Sequence, residues 1–294
     1  MRIGFSLPQV GPHAHHFDQL PGYAKAVEDL GADSLWVSDR ILAPVNPTVG
    51  YAGTDVIPEA FHSVLDPFAL VTAAGVVTER VQIGTNVLIA PWYPPVLLAR
   101  ALTTLDIVTN GRFVLGLGVG WSPEEYQSVN VPMKQRGARL EECLDILAKF
   151  WTDNPVEHTG KHWTVPATYV ALKPVRKPPI YLGAFSPAAF ERIGRRADGW
   201  MPSVMTSPDF STDFLAQGIA TMRAAAEKAG RDPSALDVIV RFNPPPGHTL
   251  DNIITAVKRA RDEVNIPHSY VDVNPLAGYT EALDTAGAVL DGLS

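Results

Sequence analysis

Cysteine is almost absent from this sequence. Cys143 is the only cysteine among 294 residues, so no disulfide can form within the chain. The sequence also lacks any run of about 18 apolar residues, the length that a membrane-spanning helix needs. Its N-terminal segment has no charged stretch leading into a long apolar core, which predicts that there is no signal peptide. These absences predict a cytoplasmic protein that does not enter a membrane.

Basic charge is in short supply as well. The chain has 24 Lys and Arg against 31 Asp and Glu, a formal net charge of −7. Nucleic-acid-binding surfaces are usually basic, so this balance argues against a nucleic-acid partner. Hydrophobic residues make up 46% of the chain and charged residues 19%, which is the composition of an ordinary folded domain.

Short strand-like runs alternate with amphipathic helical segments along the whole chain. Several runs, such as VQIGTNVLIA and RFVLGLGV, are apolar throughout, as expected for strands covered on both faces. Eight such units predict an α/β fold with one domain over residues 1–294, a single (β/α)8 TIM barrel, while alternation alone leaves a doubly wound sheet open. The predicted strands are Ile3–Leu7, Ser34–Ser38, Val81–Leu88, Phe113–Val119, Ile180–Gly183, Gly199–Ser203, Leu236–Arg241 and Ser269–Val273.

Two connections are long enough to be insertions, one after strand 2 and one after strand 4. The first runs from Asp39 to about Leu65, and the second from Trp121 to Pro179 with a predicted hairpin near Val156–Leu172. Long loops in a compact fold are usually lids or binding elements. In a barrel, both are expected at the C-terminal ends of the strands, where active sites lie.

The stretch RFVLGLGVGW has glycine at every second position: Gly116, Gly118 and Gly120. This spacing, followed by Trp121, does not match the G-x-G-x-x-G turn that binds dinucleotides. Because side chains alternate across a strand, the three glycines share one face, which admits a flat ligand or another backbone. Spacing alone leaves both readings open, and it makes Gly120, at the strand end, the best placed of the three to face a ligand.

Two other chemistries have only weak support. An H-x-H pattern at His13 and His15, with His16 beside it, is typical of metal-dependent hydrolases, but only Asp272 at a later strand end fits such a ligand set. A Schiff-base enzyme needs a lysine at the C-terminal end of a strand, and Lys173 and Lys177 precede the fifth strand instead. We therefore expect no metal site and no Schiff base.

Five segments, in order, carry a resemblance to a known family. They are IGFSLP, GADSLWVSDRILAP, GTNVLIAPWYPPVLLARALTTLDIVTNGR, LGLGVGWSPEEYQSVNVPMKQRGARLEE and PIYLGAFSPAAFERIGRRADGWMP. In this combination the sequence resembles the luciferase-like flavin- and deazaflavin-dependent oxidoreductases, and most closely their actinobacterial branch that uses coenzyme F420. The resemblance covers roughly residues 1–205, while the C-terminal third matches only in general pattern.

The resemblance implies a TIM barrel that holds the cofactor ring at its mouth, against a bulge in the third strand. In this family a non-proline cis peptide forms the bulge, and the match at GTNVL assigns it to Asn86 and Val87. Gly118, Gly120 and Trp121 are then expected to line the cofactor channel beside the bulge.

A phosphate site is expected at GAFSPAAFERIGRR, where a strand leads into a helix capped by Ser186. Free backbone N–H groups of Gly183, Ala184, Phe185 and Ser186 suit a phosphate, although simple helix capping explains the same pattern. The family often has two adjacent glycines here, and Ala184 replaces one of them. Five basic residues are candidates to attract the acidic tail of coenzyme F420, with a solvated loop as the alternative: Lys173, Arg176, Lys177, Arg195 and Arg196.

Asp39 and Arg40 close the second strand at the predicted mouth. Relatives that dehydrogenate sugar phosphates carry a histidine base where Arg40 stands, and arginine cannot remove a proton at neutral pH. Asp39 is predicted to orient the ring or a substrate group, or simply to pair with Arg40. Both Asp39 and His13 are candidates to deliver a proton, and Glu124, Glu125 and Tyr126 can reach the same mouth.

The resemblance therefore implies an F420-dependent oxidoreductase that transfers a hydride between the deazaflavin and a small organic substrate, and it implies a homodimer. Two alternatives stay open on the sequence. One is an FMN-dependent luciferase-like monooxygenase that activates oxygen, and the other is a non-catalytic relative that only binds a flavin.

Overall fold

A closed barrel of parallel strands forms the centre of the computed structural model, which describes residues 1–245, 247, 249–276 and 278–294. In these residues the strands are β1 (Arg2–Ser6), β2 (Ser34–Val37), β3 (Gln82–Thr85), β4 (Leu88–Ile89), β5 (Phe113–Gly118), β6 (Val156–Thr159), β7 (Thr164–Thr168), β8 (Ile180–Leu182), β9 (Gly199–Trp200), β10 (Ser203–Met205), β11 (Asp237–Asn243) and β12 (His268–Val271). The α-helices are α1 (Leu20–Asp29), α2 (Pro67–Val77), α3 (Pro95–Val108), α4 (Pro123–Ser128), α5 (Arg136–Thr152), α6 (Pro187–Arg196), α7 (Asp213–Lys228), α8 (Leu250–Val264) and α9 (Tyr279–Leu293).

The barrel closes through neighbouring parallel pairs in the order β1, β2, β3, β5, β8, β9, β11 and β12, with β12 pairing back to β1. After a break at residues 86–87, β4 continues the third barrel strand and pairs with β5. In the same way β10 continues the sixth strand after residues 201–202 and pairs with β11. The predicted TIM barrel and its eight strands are thus confirmed, and the doubly wound alternative is wrong.

Both predicted insertions are present, but part of the second lies at the opposite end of the barrel from the first. Residues 38–66 follow β2 and contain only short 3-10 turns before α2 begins. After β5 come α4, α5 and the antiparallel hairpin β6–β7. The prediction that the whole second insertion opens at the strand C-termini is wrong for the hairpin. It follows α5, and a helix that runs antiparallel to its strand returns the chain to the opposite end of the barrel.

The barrel interior holds a second buried cluster, in which Trp36 has the largest side chain. The Trp36 indole is fully buried and stacks on Tyr270, with ring centroids 5.1 Å apart. A Cβ atom on Gly84, on the neighbouring strand, would lie 2.4 Å from the Trp36 ring. A Cβ on Gly116 would lie 1.9 Å from the carbonyl oxygen of Thr85. Glycine on adjacent strands therefore provides the space that the indole occupies and lets the strands come close.

The outer face of the barrel carries the main apolar core. Leu115 and Leu117 point outward from β5 and join a buried cluster with helix residues such as Leu98, Leu102 and Leu147. Within the described ranges, no helix is long and apolar enough to cross a membrane.

Replacing Gly84 by alanine tests the interior packing. We expect Gly84→Ala to lower the free energy of unfolding by about 1–3 kcal/mol, because the new methyl group overlaps the Trp36 ring. Gly22→Ala is the matched control. Gly22 lies in α1 with nothing within 4 Å of its Cβ position, so the same change should raise stability by about 0.4–1 kcal/mol. Urea unfolding measures both, and equal effects would contradict the packing argument.

Candidate active site

A polar network lies inside the barrel at the C-terminal ends of its first, seventh and eighth strands. Asp272 Oδ1 accepts hydrogen bonds from Ser6 Oγ at 2.8 Å and from Asn274 Nδ2 at 2.7 Å, and Asp272 Oδ2 pairs with the Arg241 guanidinium. Burial alone would raise the pKa of Asp272, but Arg241 and these hydrogen bonds hold it below its usual range. The carboxylate is therefore ionised and committed to protein partners.

Asp39 connects the end of the second strand to the bulged third strand. Its carboxylate is buried, and Oδ2 accepts hydrogen bonds from the Ile89 backbone N–H and the Tyr93 hydroxyl, both at 2.9 Å. Both bonds fall on one oxygen. Asp39 thus fixes the chain beyond the bulge while its second oxygen keeps its acceptor capacity.

The same carboxyl has a shifted proton affinity. Burial raises the pKa of Asp39 to about 6, and the neighbouring carboxylates of Glu125 and Asp66 act in the same direction. The hydrogen bonds from Ile89 and Tyr93 oppose this shift without cancelling it. A carboxyl that titrates near pH 6 can exchange a proton under mild conditions, as acid–base catalysis requires.

Arg40 lies under an aromatic cover and pairs with α4. Its guanidinium is 3.7 Å from Glu125, with both side chains less than a tenth exposed. Phe61 and Trp121 face it at 4.8 and 4.7 Å from their ring centroids, and Tyr51 contacts both of these rings. The ion pair of Arg40 is therefore with Glu125, and the predicted alternative of pairing with Asp39 is not what the structure shows.

His13 is buried in the loop after β1 and packs against α9. Its Nε2 lies 2.7 Å from the Leu276 carbonyl oxygen, and its ring contacts Tyr279 edge-on at 5.4 Å. Because a carbonyl oxygen only accepts, Nε2 carries the proton and Nδ1 of the neutral ring is left as an acceptor. Burial also lowers the pKa of His13. This geometry favours a positioning role for His13 over proton delivery.

The bulge lies where the resemblance assigns it, with a cis peptide bond between Asn86 and Val87. The side chains of Val87 and Ile89, which come after Asn86 in the third strand, pack against the glycines at the end of β5. A Cβ on Gly118 would lie 2.5 Å from Val87 Cγ2, and one on Gly120 would lie 3.0 Å from Ile89 Cγ2. Close packing of the bulge therefore accounts for both glycines, and their contact with a cofactor stays a prediction.

The predicted phosphate site is a turn between β8 and α6. Gly183 N–H is used, since it donates to the Leu117 carbonyl oxygen at 3.1 Å. In the described part of the chain, the N–H groups of Ala184, Phe185 and Ser186 have no backbone partner. They open beside a cavity of about 250 Å³ lined by Phe185, Ser186, Pro187, Phe190, Phe214, Gln217, Gly218 and Thr221.

The expected basic neighbourhood of this turn is wrong. Arg195 and Arg196 end α6, whereas the turn begins it, and both pair with Glu141 of α5. Lys173 donates to backbone carbonyls at the end of α5, and Arg176 donates to Gly111 just before β5. These cations lie toward the N-terminal ends of the strands, because the helix that starts at the mouth carries its last turn to the opposite end.

The residues considered for a metal-dependent hydrolase and for a Schiff-base enzyme lie apart from one another or away from the mouth. His13 and His15 diverge, since His15 Nε2 contacts Ser63 Oγ at 3.1 Å while His13 contacts Leu276. Among the described residues, no three His, Cys, Asp or Glu side chains converge as a metal site would require. Lys173 lies at the far end of α5 from the mouth, bonded to the chain near Asp153.

Three residues of the mouth were missed by the sequence analysis. Tyr93 lies in the noted PWYPP segment, but its hydroxyl bond to Asp39 has no sequence signal. Tyr51 comes from the first insertion, whose path over the barrel cannot be read from its composition. Arg241 was predicted only as the end of a strand, and strand alternation alone would have placed it facing inward.

The whole chain matches one protein family. The sequence profile described as luciferase-like monooxygenase matches residues 1–292. An F420-dependent glucose-6-phosphate dehydrogenase from Nakamurella multipartita is 33% identical over 252 residues, which cover 82% of this chain and 67% of that protein. Another protein of that name, from Gordonia bronchialis, is 31% identical over 265 residues, covering 86% of this chain and 72% of its own.

Solved structures show the same fold at lower identity. The monooxygenase RslO1 from Streptomyces bottropensis superposes with a TM-score of 0.79 at 18% identity, covering 100% of this chain and 98% of that one. An F420-dependent secondary alcohol dehydrogenase in complex with an F420–acetone adduct gives a TM-score of 0.78 at 17% identity, with coverage of 100% and 99%. The profile matches nearly every residue, and the fold is a barrel with a bulge in its third strand. This chain therefore belongs to the luciferase-like monooxygenase family.

Proposed function

We propose that this protein is an F420-dependent oxidoreductase that transfers a hydride between the deazaflavin and a small organic substrate. The observation that carries the proposal is the Asp39 carboxyl, which is buried at the mouth and bonded to the strand that forms the bulge. The names of the two dehydrogenase relatives support coenzyme F420 over FMN.

The residues at the mouth fit a flat cofactor. Asn86 Nδ2 is buried at the bulge and lacks a partner among the described residues, so it offers a donor to a bound group. A Cβ on Gly183 would meet only Val87, at 4.0 Å, which means that open space lies in front of this glycine. The N–H groups of Ala184, Phe185 and Ser186 at the start of α6 suit the cofactor's phosphate.

Gly118, Gly120 and Trp121 complete the proposed channel on the β5 side. The two glycines let Val87 and Ile89 approach β5, which brings the bulge toward the barrel axis. Trp121 lies after the end of β5, and its ring packs against the Arg40 guanidinium and the Tyr51 ring. The channel is therefore bounded by the bulge, the end of β5 and the turn before α6.

Hydride transfer at a carbonyl or an activated double bond also needs a proton, and Asp39 is the residue that we propose to hold it. The deazaflavin supplies the hydride-carrying ring when bound. Protonated Asp39 donates to the substrate in the reducing direction, and ionised Asp39 accepts in the oxidising direction. His13, the other candidate, has its only ring proton of the neutral form directed at Leu276.

Sugar-phosphate dehydrogenation is not the proposed reaction. The base in relatives with that activity is a histidine at the position of Arg40, as the resemblance implies. Here Arg40 is a buried guanidinium paired with Glu125, and it stays protonated. We propose the reduction of an activated double bond or a carbonyl instead.

Cofactor choice is tested by paired titrations of the purified protein with coenzyme F420 and with FMN, followed by fluorescence. We expect coenzyme F420 to bind at least about tenfold more tightly, a difference of about 1.4 kcal/mol. Gly183→Ala should weaken this binding, because its methyl group enters the open space in front of Val87. Gly22→Ala is the control and should bind like the parent. Tight FMN binding with oxygen-dependent turnover would instead make the protein a monooxygenase.

Asp39→Asn tests the proton role. Asparagine keeps an oxygen that can accept from both Ile89 and Tyr93, so the fold of the mouth should survive. We expect turnover to fall by about 100-fold or more, the usual contribution of a general acid, while cofactor affinity changes little. In the parent, the rate of substrate reduction should decline as the pH rises through about 6, since Asp39 loses its proton there.

The matched control is Asp232→Asn, because Asp232 is an exposed cap of the 3-10 turn at Pro233–Ala235, it is not among the groups that shift the pKa of Asp39, and asparagine caps such a turn equally well. Its turnover should stay near that of the parent. An Asp39→Asn enzyme with full activity and an unchanged pH profile would assign the proton to another group, with His13 as the next candidate.

We also propose a cytoplasmic homodimer. Support comes from the lone, buried Cys143 and from exposed apolar side chains on the first insertion, such as Val45 and Val56. Sedimentation equilibrium should give twice the mass of the chain, and a single-chain mass at all concentrations would refute the dimer.

A further inference from the structure

The two oxygens of the Asp39 carboxyl have different surroundings. Oδ2 accepts hydrogen bonds from the Ile89 N–H and from the Tyr93 hydroxyl, both at 2.9 Å. Within the described ranges no hydrogen bond reaches Oδ1, and Asp39 keeps 8% of its surface exposed. Each oxygen of a carboxylate has two lone pairs, so the acceptor positions of Oδ2 are taken while those of Oδ1 are open.

The donors on Oδ2 determine where a proton can sit. A backbone N–H only donates, so Ile89 keeps Oδ2 an acceptor whether or not Asp39 is protonated. Burial, and after it the Asp39 carboxylate, raises the pKa of Tyr93, so the phenol stays protonated. In the described part of the chain, Asp39 is the acceptor of this hydroxyl, whose ring packs edge-on against Phe68 at 5.5 Å. A protonated Asp39 therefore carries its proton on Oδ1 and keeps Oδ2 as its carbonyl oxygen.

The other charges around Asp39 do not choose between its two oxygens. Burial is the main cause of the raised pKa of Asp39, and the carboxylates of Glu125 in α4 and Asp66 before α2 add to it. Arg40 is paired with Glu125. None of these three side chains hydrogen-bonds to Asp39, so they act on the carboxyl as a whole. The choice is made by the two bonds on Oδ2, of which only that of Tyr93 comes from a side chain.

We propose that Tyr93 is a positioning residue that keeps the exchangeable proton of Asp39 on Oδ1, the oxygen that exchanges it with the substrate. The inference rests on the proposed function, since it assigns the atom through which Asp39 acts. In the reducing direction the Oδ1–H bond breaks, the proton goes to the substrate that receives the hydride, and the electron pair stays on the carboxylate. The bonds on Oδ2 then stabilise the negative charge.

Infrared spectroscopy of the parent protein locates this proton without any variant. A hydrogen bond to a carbonyl oxygen weakens the C=O bond and lowers its stretching frequency. Spectra of the protein with isotope-labelled aspartate are compared at mildly acidic and neutral pH, and Asp39→Asn identifies the Asp39 band by its absence. We expect this band at a lower frequency than that of a protonated carboxyl whose carbonyl accepts no hydrogen bond, because Oδ2 accepts two.

Tyr93→Phe removes one bond on Oδ2 and keeps the ring against Phe68. We expect the Asp39 band to move to higher frequency. The pH at which substrate reduction declines should rise by about 0.5–1 pH unit, because the lost bond favours the ionised form more than the protonated one. Tyr181→Phe is the matched control, since the Tyr181 hydroxyl donates to Asp237 Oδ2, also at 2.9 Å, at the start of β11. It loses the same kind of bond and should leave both readouts unchanged.

A parent band at the frequency of a carbonyl without hydrogen bonds would overturn the proposal. So would a Tyr93→Phe protein whose band and pH profile stay at the parent positions, even with lower turnover or thermal stability, since Tyr93 would then have a purely structural role. An equal shift in Tyr181→Phe would overturn it as well. The infrared measurements need neither cofactor nor turnover. A shifted band in a protein that does not bind coenzyme F420 would therefore leave the proton on Oδ1 and refute the proposed cofactor.

Discussion

The Trp36 indole occupies the axis of the barrel, and the strands around it have to accommodate its size. The ring takes the space of a side chain at Gly84 and stacks on Tyr270 across the interior. Below it, Ser34 Oγ accepts from the Trp36 Nε1 and contacts His268 Nε2 at 2.7 Å, so the indole has a polar anchor as well. This layer around Trp36 positions the residues of the mouth, because the next inward-facing residues along the same strands include Asn86, Asp272 and the end of β2.

The bulge and Asp39 then determine what can happen above this layer. Gly118 and Gly120 allow the side chains of Val87 and Ile89 to lie against β5, which carries the third strand inward. The Ile89 N–H that this leaves available is taken by Asp39. The position from which Asp39 accepts this bond also buries its carboxyl, and burial raises the pKa of Asp39 even though the hydrogen bonds from Ile89 and Tyr93 oppose the shift.

The sequence predicted the barrel well and the mouth only in part. Apolar runs and their alternation with helices located all eight strands, because burial on both faces leaves a strong local signal. The resemblance located the cis bond at Asn86–Val87. By contrast, the cations of α6 were assigned to the wrong end of the barrel, since a helix of ten residues separates Ser186 from Arg196 and the sequence does not show which carboxylates they meet. Contacts such as Tyr93 with Asp39 join distant segments and have no local pattern.

The two insertions are bonded to each other over the mouth of the barrel. Glu125 of α4 accepts from the Ile41 N–H at 3.0 Å, and Glu124 accepts from the Thr48 N–H at 2.7 Å. The first insertion is thus fixed to the second by backbone bonds as well as by the ion pair of Arg40 with Glu125. Because one of these carboxylates neutralises the guanidinium that faces the mouth, moving α4 would change both the cover and the charge at once. The position of the first insertion and the charge balance of Arg40 are therefore coupled through Glu125.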